Sequence, residues 1–255
     1  MTLCWPAEAI WEAVAPVLPG FTVEVLPEID STNTELMRRA RAGQLEPVLL
    51  VAERQSAGRG RLGRQWESDT AGVGGTLTFS LGLPLAPADW SGLSLAVGLA
   101  VADSLHPDLR LKWPNDVWLQ ERKLAGILIE TASVGEVRYA VIGIGVNITP
   151  RDGAGLRTPP AALAEVLPGV DAPAALERIA LPLVQAVLRF VDQGFAPLRQ
   201  PFHVRDCLYG REVVCGEGMT GQARGVDASG ALLVHTASGL KKITSAEVSV
   251  RPLAA

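Results

Sequence analysis

Lys123-Leu-Ala-Gly-Ile-Leu-Ile-Glu-Thr-Ala132 and Val137-Arg-Tyr-Ala-Val-Ile-Gly-Ile-Gly-Val-Asn-Ile148, joined by Ser133-Val-Gly-Glu136, decide the fold. Two β-rich runs around a short glycine-bearing linker read as a β-hairpin. Side chains alternate across a strand. In the second run Ile142, Ile144, Val146 and Ile148 therefore share one face, and Gly143, Gly145 and Asn147 share the other. One face is apolar and packs on a core. The other is bare except for one amide, and Gly126 repeats that bareness on the first strand. Glycine inside a strand often marks a close approach by a ligand or another backbone. The hairpin thus reads as the glycine floor of a pocket, although bulges or tight packing against a helix leave the same trace.

Upstream of the hairpin, residues 7–17 form an amphipathic helix closed by Pro19-Gly20, and residues 21–26 alternate as a strand. Thr32 with Glu35 three residues on is a capping box, and Gly43 stops the helix that follows it. Residues 48–52 are a buried strand, 75–81 another, and 91–105 a strongly apolar helix. Leu109 to Leu119 is a strand interrupted by Trp113-Pro114. Downstream, residues 149–172 are a Pro/Gly-rich connection, and 173–195 are helical with Pro182 near a kink. After Pro201 the texture changes to short strands at 211–215, 220–226, 231–235 and 240–243, separated by Gly, Asp and Ser turns. That is the pattern of a small all-β barrel.

Composition narrows the class. The 255 residues suit one large domain with a small appendage. Apolar residues make up 48 % and charged ones 20 %, enough for a sizeable core. A formal charge of -4 gives no electrostatic footprint for bulk nucleic-acid binding. Cys4, Cys207 and Cys215 are odd in number and scattered, which argues against disulfides and against a zinc site. No secretory signal and no membrane-spanning run is visible, so a cytoplasmic setting is expected.

Two polar clusters stand out against this background. Gly58-Arg-Gly-Arg-Leu-Gly-Arg64 sets three arginines among three glycines. Glycine lets the backbone approach a ligand, and arginine offers forked donors to phosphate or carboxylate. The segment reads as a mobile loop that closes over an anion, and a solvated basic loop has the same composition. Lys112-Trp-Pro-Asn-Asp116, just before the hairpin, is the second cluster.

With Ser31-Thr32-Asn33, Gln55, Trp66, Lys123 to Glu130 and Gly143-Ile-Gly-Val-Asn147, these motifs resemble, in order, those of the biotin protein ligases. The resemblance covers about residues 22–252. It implies an α+β fold: a mixed β-sheet flanked by helices, class II synthetase-like, over residues 1–203, and an SH3-like β-barrel over 204–255. It further implies an ATP-dependent ligase that joins biotin to ATP as biotinyl-5′-AMP. The enzyme then passes the biotinyl group to one lysine of a biotin carboxyl carrier protein domain of a carboxylase. ATP and Mg²⁺ would be co-substrate and ion, and no protein-held metal site is assigned.

The chemistry explains the residue types. A carboxylate must attack an α-phosphate, and two like charges at about 4 Å repel by roughly 4 kcal/mol at an effective dielectric of ~20. A charge-assisted hydrogen bond contributes on the order of 1.5–3 kcal/mol, so two or more cations are needed. Lys123 and Arg61 are the catalytic candidates. Ser31, Thr32, Asn33, Gln55, Arg59, Gly60, Arg61, Lys123 and Gly126 are expected to bind biotin. Arg59, Arg61, Arg64, Trp66, Asn115, Asp116 and Asn147 are expected to bind nucleotide. Lys123 also suits a solvated turn, Asn115-Asp116 a tight turn, and Thr32 a helix cap, while Trp113 reads as core.

About two dozen residues precede the catalytic pattern, too few for a three-helix DNA-binding unit, so no operator binding is expected. A homodimer is compatible with the resemblance, and no membrane partner is expected. Two other readings stay open. A lipoate or other acyl ligase would have an apolar tunnel without partners for a ureido ring, whereas Ser31, Thr32 and Gln55 are polar. A silent biotin- or nucleotide-binding regulator would not need Lys123 and Arg61.

Overall fold

The computed structural model describes residues 3–66, 72, 74–151, 153, 160–216, 218–244 and 250–253. The hairpin is present as β6 (Arg122–Val134) and β7 (Val137–Asn147), turning through Gly135 at a φ of 58°. It lies inside a seven-stranded sheet with β1 (Thr22–Leu26), β2 (Val48–Ala52), β3 (Thr76–Pro84), β4 (Arg110–Lys112) and β5 (Asp116–Leu119). The strand order is β1-β2-β3-β7-β6-β5-β4. β1 and β2 are parallel and all other pairs antiparallel. A parallel pair needs a crossover, and α2 (Thr32–Arg41) supplies it.

The two faces of β7 divide the core as the alternation requires. Ile142, Ile144 and Val146 are at most 3 % exposed and pack in the larger apolar cluster with α1 (Ala7–Val14), α3 (Leu93–Leu105) and α4 (Ala172–Gln193). Tyr139 and Val141 face the other way, against Leu36, Met37 and Ala40 of α2. The burial of α3 on nearly every side explains its uninterrupted apolar sequence. α4 runs 22 residues as one helix through Pro182.

Two expectations change. The cap of α2 is Ser31, extended at φ -161° and accepting from Thr34 N, so Thr32 is the first helical residue and not the cap. Leu109 to Leu119 is not one interrupted strand. The chain reverses in a turn at 113–115, and β4 pairs antiparallel with β5. Part of the 149–172 connection (residues 152 and 154–159) lies outside the described residues.

The C-terminal strands form a separate five-stranded antiparallel sheet, ordered β11-β10-β9-β8-β12. They are β8 (Glu212–Cys215), β9 (Met219–Val226), β10 (Leu232–Thr236), β11 (Gly239–Ile243) and β12 (Val250–Pro252), the last of which has no counterpart in the sequence reading. A short helix, α5 (Arg199–Arg205), precedes this sheet. The two units meet at definite contacts. Cys207 N donates to Leu111 O, and the fully buried Trp113 donates through Nε1 to Gly230 O at 3.0 Å. Trp113 is thus core, as its neighbours in sequence implied. Among the described residues, no helix is long and apolar enough to cross a membrane.

Candidate functional site

The pocket begins at the start of α2. After β1 and β2 separate, Ile29 bridges Gln55 in parallel, and Ser56 N and Ala57 N donate to Ile29 O and Asp30 O. This extension of the β1–β2 pairing sets Gln55 beside the first turn of α2. Gln55 Oε1 accepts from Thr32 N at 2.8 Å and from Thr32 Oγ1 at 3.1 Å. Ser80 of β3 rises from below, its Oγ 2.6 Å from Thr32 Oγ1 and 2.7 Å from Asn33 Oδ1. Asn33 can sit there because Gly143 has no side chain; a Cβ at 143 would lie 2.1 Å from Asn33 Oδ1. Ser31, Thr32, Asn33, Gln55 and Ser80 are all buried. Burial without partners would cost each polar group heavily, and the reciprocal bonds remove that cost.

The Arg/Gly segment closes on itself. Arg59 bridges Gln65, Gly60 N donates to Arg64 O, and Trp66 N donates to Gly58 O. The tip carries Leu62 at φ 58° and Gly63 at φ 70°. Gly58 is dictated by this closure, because a Cβ there would stand 2.3 Å from Trp66 O. The Trp66 indole lies on the floor: a Cβ at Gly145 would be 2.3 Å from its Cε2, and one at Gly126 3.4 Å from its Cζ3. Lys123 Nζ and Arg151 Cζ stand 5.8 and 5.9 Å from the ring centre, within cation–π range. Trp66 Nε1 is buried with no hydrogen-bond partner among the described residues.

The third wall comes from β5 and β6. Asn115 O accepts from Ile127 N at 3.0 Å, and Asn115 Nδ2 donates to Ile127 O at 2.8 Å, which fixes the turn against β6. Arg61 Nη1 donates to Asn115 Oδ1 at 3.3 Å. Burial lowers the Arg61 pKa, Asp116 opposes that shift, and Arg64 adds to it. Lys123 Nζ stands 2.7 Å from Asp116 Oδ1, an ion pair by distance but without hydrogen-bond alignment. Strict alternation from Gly126 would turn Lys123 to the opposite face. A register shift between Val117 and Trp118, where β6 advances from Ala125 to Lys123, restores it to the pocket side.

A cavity of about 470 Å³, open mouth included, lies between these walls. It is lined by Ser31, Thr32, Asn33, Gln55, Arg59, Gly60, Arg61, Trp66, Asn115, Lys123 and Gly126, and by Gly143 and Gly145. The two cations Lys123 and Arg61 therefore face one cavity. Asp116 touches it through Lys123. Asp116 therefore does not line it directly, and two more expected residues do not line it either. Arg64 is exposed at the loop tip. Asn147 lies below, donating through Nδ2 to Lys123 O, while its Oδ1 has no hydrogen-bond partner among the described residues. The sequence reading missed Thr78 and Ser80, which reach the site only through the pairing of β3 with β7. Ser80 pairs with Gly143, so the parity that exposed the glycine face would have pointed to it. Among the described residues, no group of three or more His, Cys, Asp or Glu side chains is placed to hold a metal ion.

Comparison with known proteins agrees with this geometry. Residues 25–147 match the biotin/lipoate A/B protein ligase family, and residues 210–251 match the biotin protein ligase C-terminal domain. The bifunctional ligase/repressor BirA of Escherichia coli is 36 % identical over 247 residues, covering 92 % of this chain and 75 % of that protein. The biotin–[acetyl-CoA-carboxylase] ligase of Paracoccus denitrificans is 35 % identical over 240 residues, covering 88 % of this chain and 98 % of that one. The structure of the biotin protein ligase from Aquifex aeolicus in complex with biotin and ATP superposes with a TM-score of 0.76 at 31 % identity. That match covers 91 % of this chain and 99 % of that chain. The chain belongs to the biotin/lipoate A/B protein ligase family and, within it, to the biotin protein ligases.

Proposed function

We propose that the protein activates biotin with ATP and transfers the biotinyl group to a lysine of a carrier domain on a biotin-dependent carboxylase. One observation carries the reading: Lys123 and Arg61 face the same cavity whose other end is lined by neutral hydroxyl and amide groups. In the first step a biotin carboxylate oxygen attacks the α-phosphorus, and the bond to the β-phosphate oxygen breaks to release pyrophosphate. Lys123 and Arg61 act as the catalytic cations, neutralising charge that accumulates between two anions. In the second step the carrier lysine amine attacks the acyl carbon and AMP leaves. Ser31, Thr32, Asn33 and Gln55 take the ureido end of biotin, with Gly60 and Gly126 giving close backbone approach and Arg59 closing that side. Trp66 and Asn115 hold the nucleotide with Arg59 and Arg61. Arg64 and Asn147 belong to the same proposal at longer range.

Mg²⁺ fits the cationic end in one way. Mg²⁺ is commonly held by one or two carboxylates together with substrate phosphates, and Asp116 has a solvent-shielded oxygen there with no aligned hydrogen bond. Asp116 would hold the ion, and the ion would screen the phosphates. A hairpin loop closed over the acyl-adenylate excludes water from a mixed anhydride that water destroys. The division into catalytic and C-terminal parts at 203/204, a cytoplasmic setting, homodimer formation and the absence of DNA binding are further parts of the proposal. Biotin-dependent exchange of labelled pyrophosphate into ATP, followed by label transfer to a carrier domain, tests it. Exchange driven by lipoate and not by biotin would overturn the substrate assignment. Biotin binding without exchange would favour a silent regulator.

A further inference from the structure

Glu130 ends the motif that begins at Lys123, and the chemistry above gives it no part. A carboxylate on the rim of an anion-binding cleft works against the substrate's charge, so its presence calls for a reason. Gly126, Leu128 and Glu130 share a face of β6 by alternation. Glu130 Oε1 accepts from Arg59 Nη2 at 2.9 Å, and Oε2 accepts from Asn33 Nδ2 at 3.0 Å. Arg59 Nη1 also reaches Thr34 Oγ1 at 3.4 Å. Asn33 is fixed at its other end by Ser80 and lies on the bare backbone of Gly143. One carboxylate therefore ties the Arg/Gly hairpin to the first turn of α2 and to β6. It grips the loop beside Gly58 and Gly60, the glycines that frame the pocket side of the hairpin. The Glu130 side chain is only 22 % exposed against 48 % for Arg59, so the anchor is firm and the loop side can let go.

We propose that Glu130 is a positioning residue: a latch that, through Arg59, holds the loop closed and sets how long biotin and the acyl-adenylate stay bound. The inference rests on the biotin-ligase reading. The geometry gives Glu130 no contact with the reacting atoms, so its loss falls on KM for biotin and on retention of the intermediate rather than on kcat.

The test compares the full chain with its Glu130→Gln and Glu130→Asp variants. Biotin-dependent ATP–pyrophosphate exchange gives KM and kcat. Gel filtration after a pulse of labelled biotin and ATP gives the release rate of the adenylate, and thermal melting reports folding. Glu130→Gln removes the charge facing Arg59 and sets its amide NH2 against one of two donors, Asn33 Nδ2 or Arg59 Nη2. It is expected to raise KM for biotin and to speed adenylate release by roughly two- to fivefold, the upper part of the range for a partly exposed ion pair. The kcat is expected to stay within about twofold, with little change in melting temperature. Glu130→Asp keeps the charge with a shorter reach and is expected to lie between the two. Unaltered KM and retention in Glu130→Gln, or losses that track a fall in melting temperature, would overturn the latch while leaving the ligase reading intact. No exchange in the unsubstituted protein would overturn the ligase reading and the latch with it.

Discussion

At one end of the pocket Ser31, Thr32, Asn33, Gln55 and Ser80 are between 0 and 8 % exposed; Thr32, Asn33, Gln55 and Ser80 bond to one another, and Ser31 accepts from Thr34 N. At the other end the Lys123 side chain is 42 % exposed and leans on a carboxylate, Asp116. The first end is finished before any ligand arrives. Its polar groups have partners in low-dielectric surroundings, where hydrogen bonds are strong and rearrangement is costly. The second end rests on an exchangeable pair, because partly exposed ion pairs contribute little to stability and are readily replaced. The difference teaches a division of labour. Under the proposed function, a neutral ring would be recognised by fixed donors and acceptors, and reacting anions would be met by cations whose present counter-ions can be displaced.

The largest test of that division is Lys123→Ala. Removing one group that stabilises transition-state charge typically costs about 10²–10³ in rate. Adenylation by pyrophosphate exchange is expected to fall by about that factor, with the melting temperature nearly unchanged. A melting loss as large as the activity loss would mean that the cationic end is structural after all. Gly143→Ala attacks the fixed end. Its Cβ would stand 2.1 Å from Asn33 Oδ1 and displace a residue bonded to both Ser80 and Glu130. Overpacking of this kind costs roughly 1–3 kcal/mol, read by denaturant unfolding. The matching change at the open end, Gly145→Ala, meets the Trp66 ring at 2.3 Å. The ring belongs to the loop, so faster tryptic cleavage at Arg59, Arg61 and Arg64 is expected, with a smaller loss of stability than at Gly143. Equal losses at the two glycines would erase the distinction.

Ser80→Ala is a finer probe. The hydroxyl is fully buried between Thr32 and Asn33, and losing it leaves acceptors short of a donor at about 1–2 kcal/mol. The smallest effect on activity comes from a buried carboxylate outside both ends. Asp206, where the two units meet, accepts from Leu208 N through Oδ1, while Oδ2 has no hydrogen-bond partner among the described residues. Burial pushes its pKa up to about 6. A carboxyl raised in the folded state binds a proton that the unfolded chain has already lost, so it lowers stability as pH rises from about 4 to 6. Asp206→Asn is therefore expected to gain about 3 kcal/mol at pH 8 and nothing at pH 3. An equal gain at both pH values would show that charge is not the cause.

Much of this site was legible in the order of residues. Alternation in β7 exposed the glycine face, and Gly126, Gly143 and Gly145 do line the cavity. Lys123 and Arg61 stood out because acyl-adenylate chemistry demands cations. Elsewhere local pattern misled. Thr32 and Glu35 satisfy the capping-box spacing, yet Ser31 takes the cap because Thr32 is drawn to Gln55 and Ser80. β12 is three residues long and pairs only with β8, so no internal period announces it. Ser80 lies in a strand whose sequence says nothing of a pocket; its role depends on pairing with Gly143.

The mixed sheet was implied by the family resemblance; by itself, the sequence determined the hairpin, the individual strands and helices, and the chemical kinds of group available. Those follow from short-range rules: two-residue alternation, turn chemistry, and the charge each side chain carries. Tertiary structure alone decided which groups meet. Lys123 reaches the glycine face through a register shift against β5, and Trp66 settles on Gly145 because the loop closes into a hairpin. Both depend on long-range strand pairing, and a one-residue slip turns every side chain to the opposite face. No local pattern encodes that register; it is set where the whole sheet comes together.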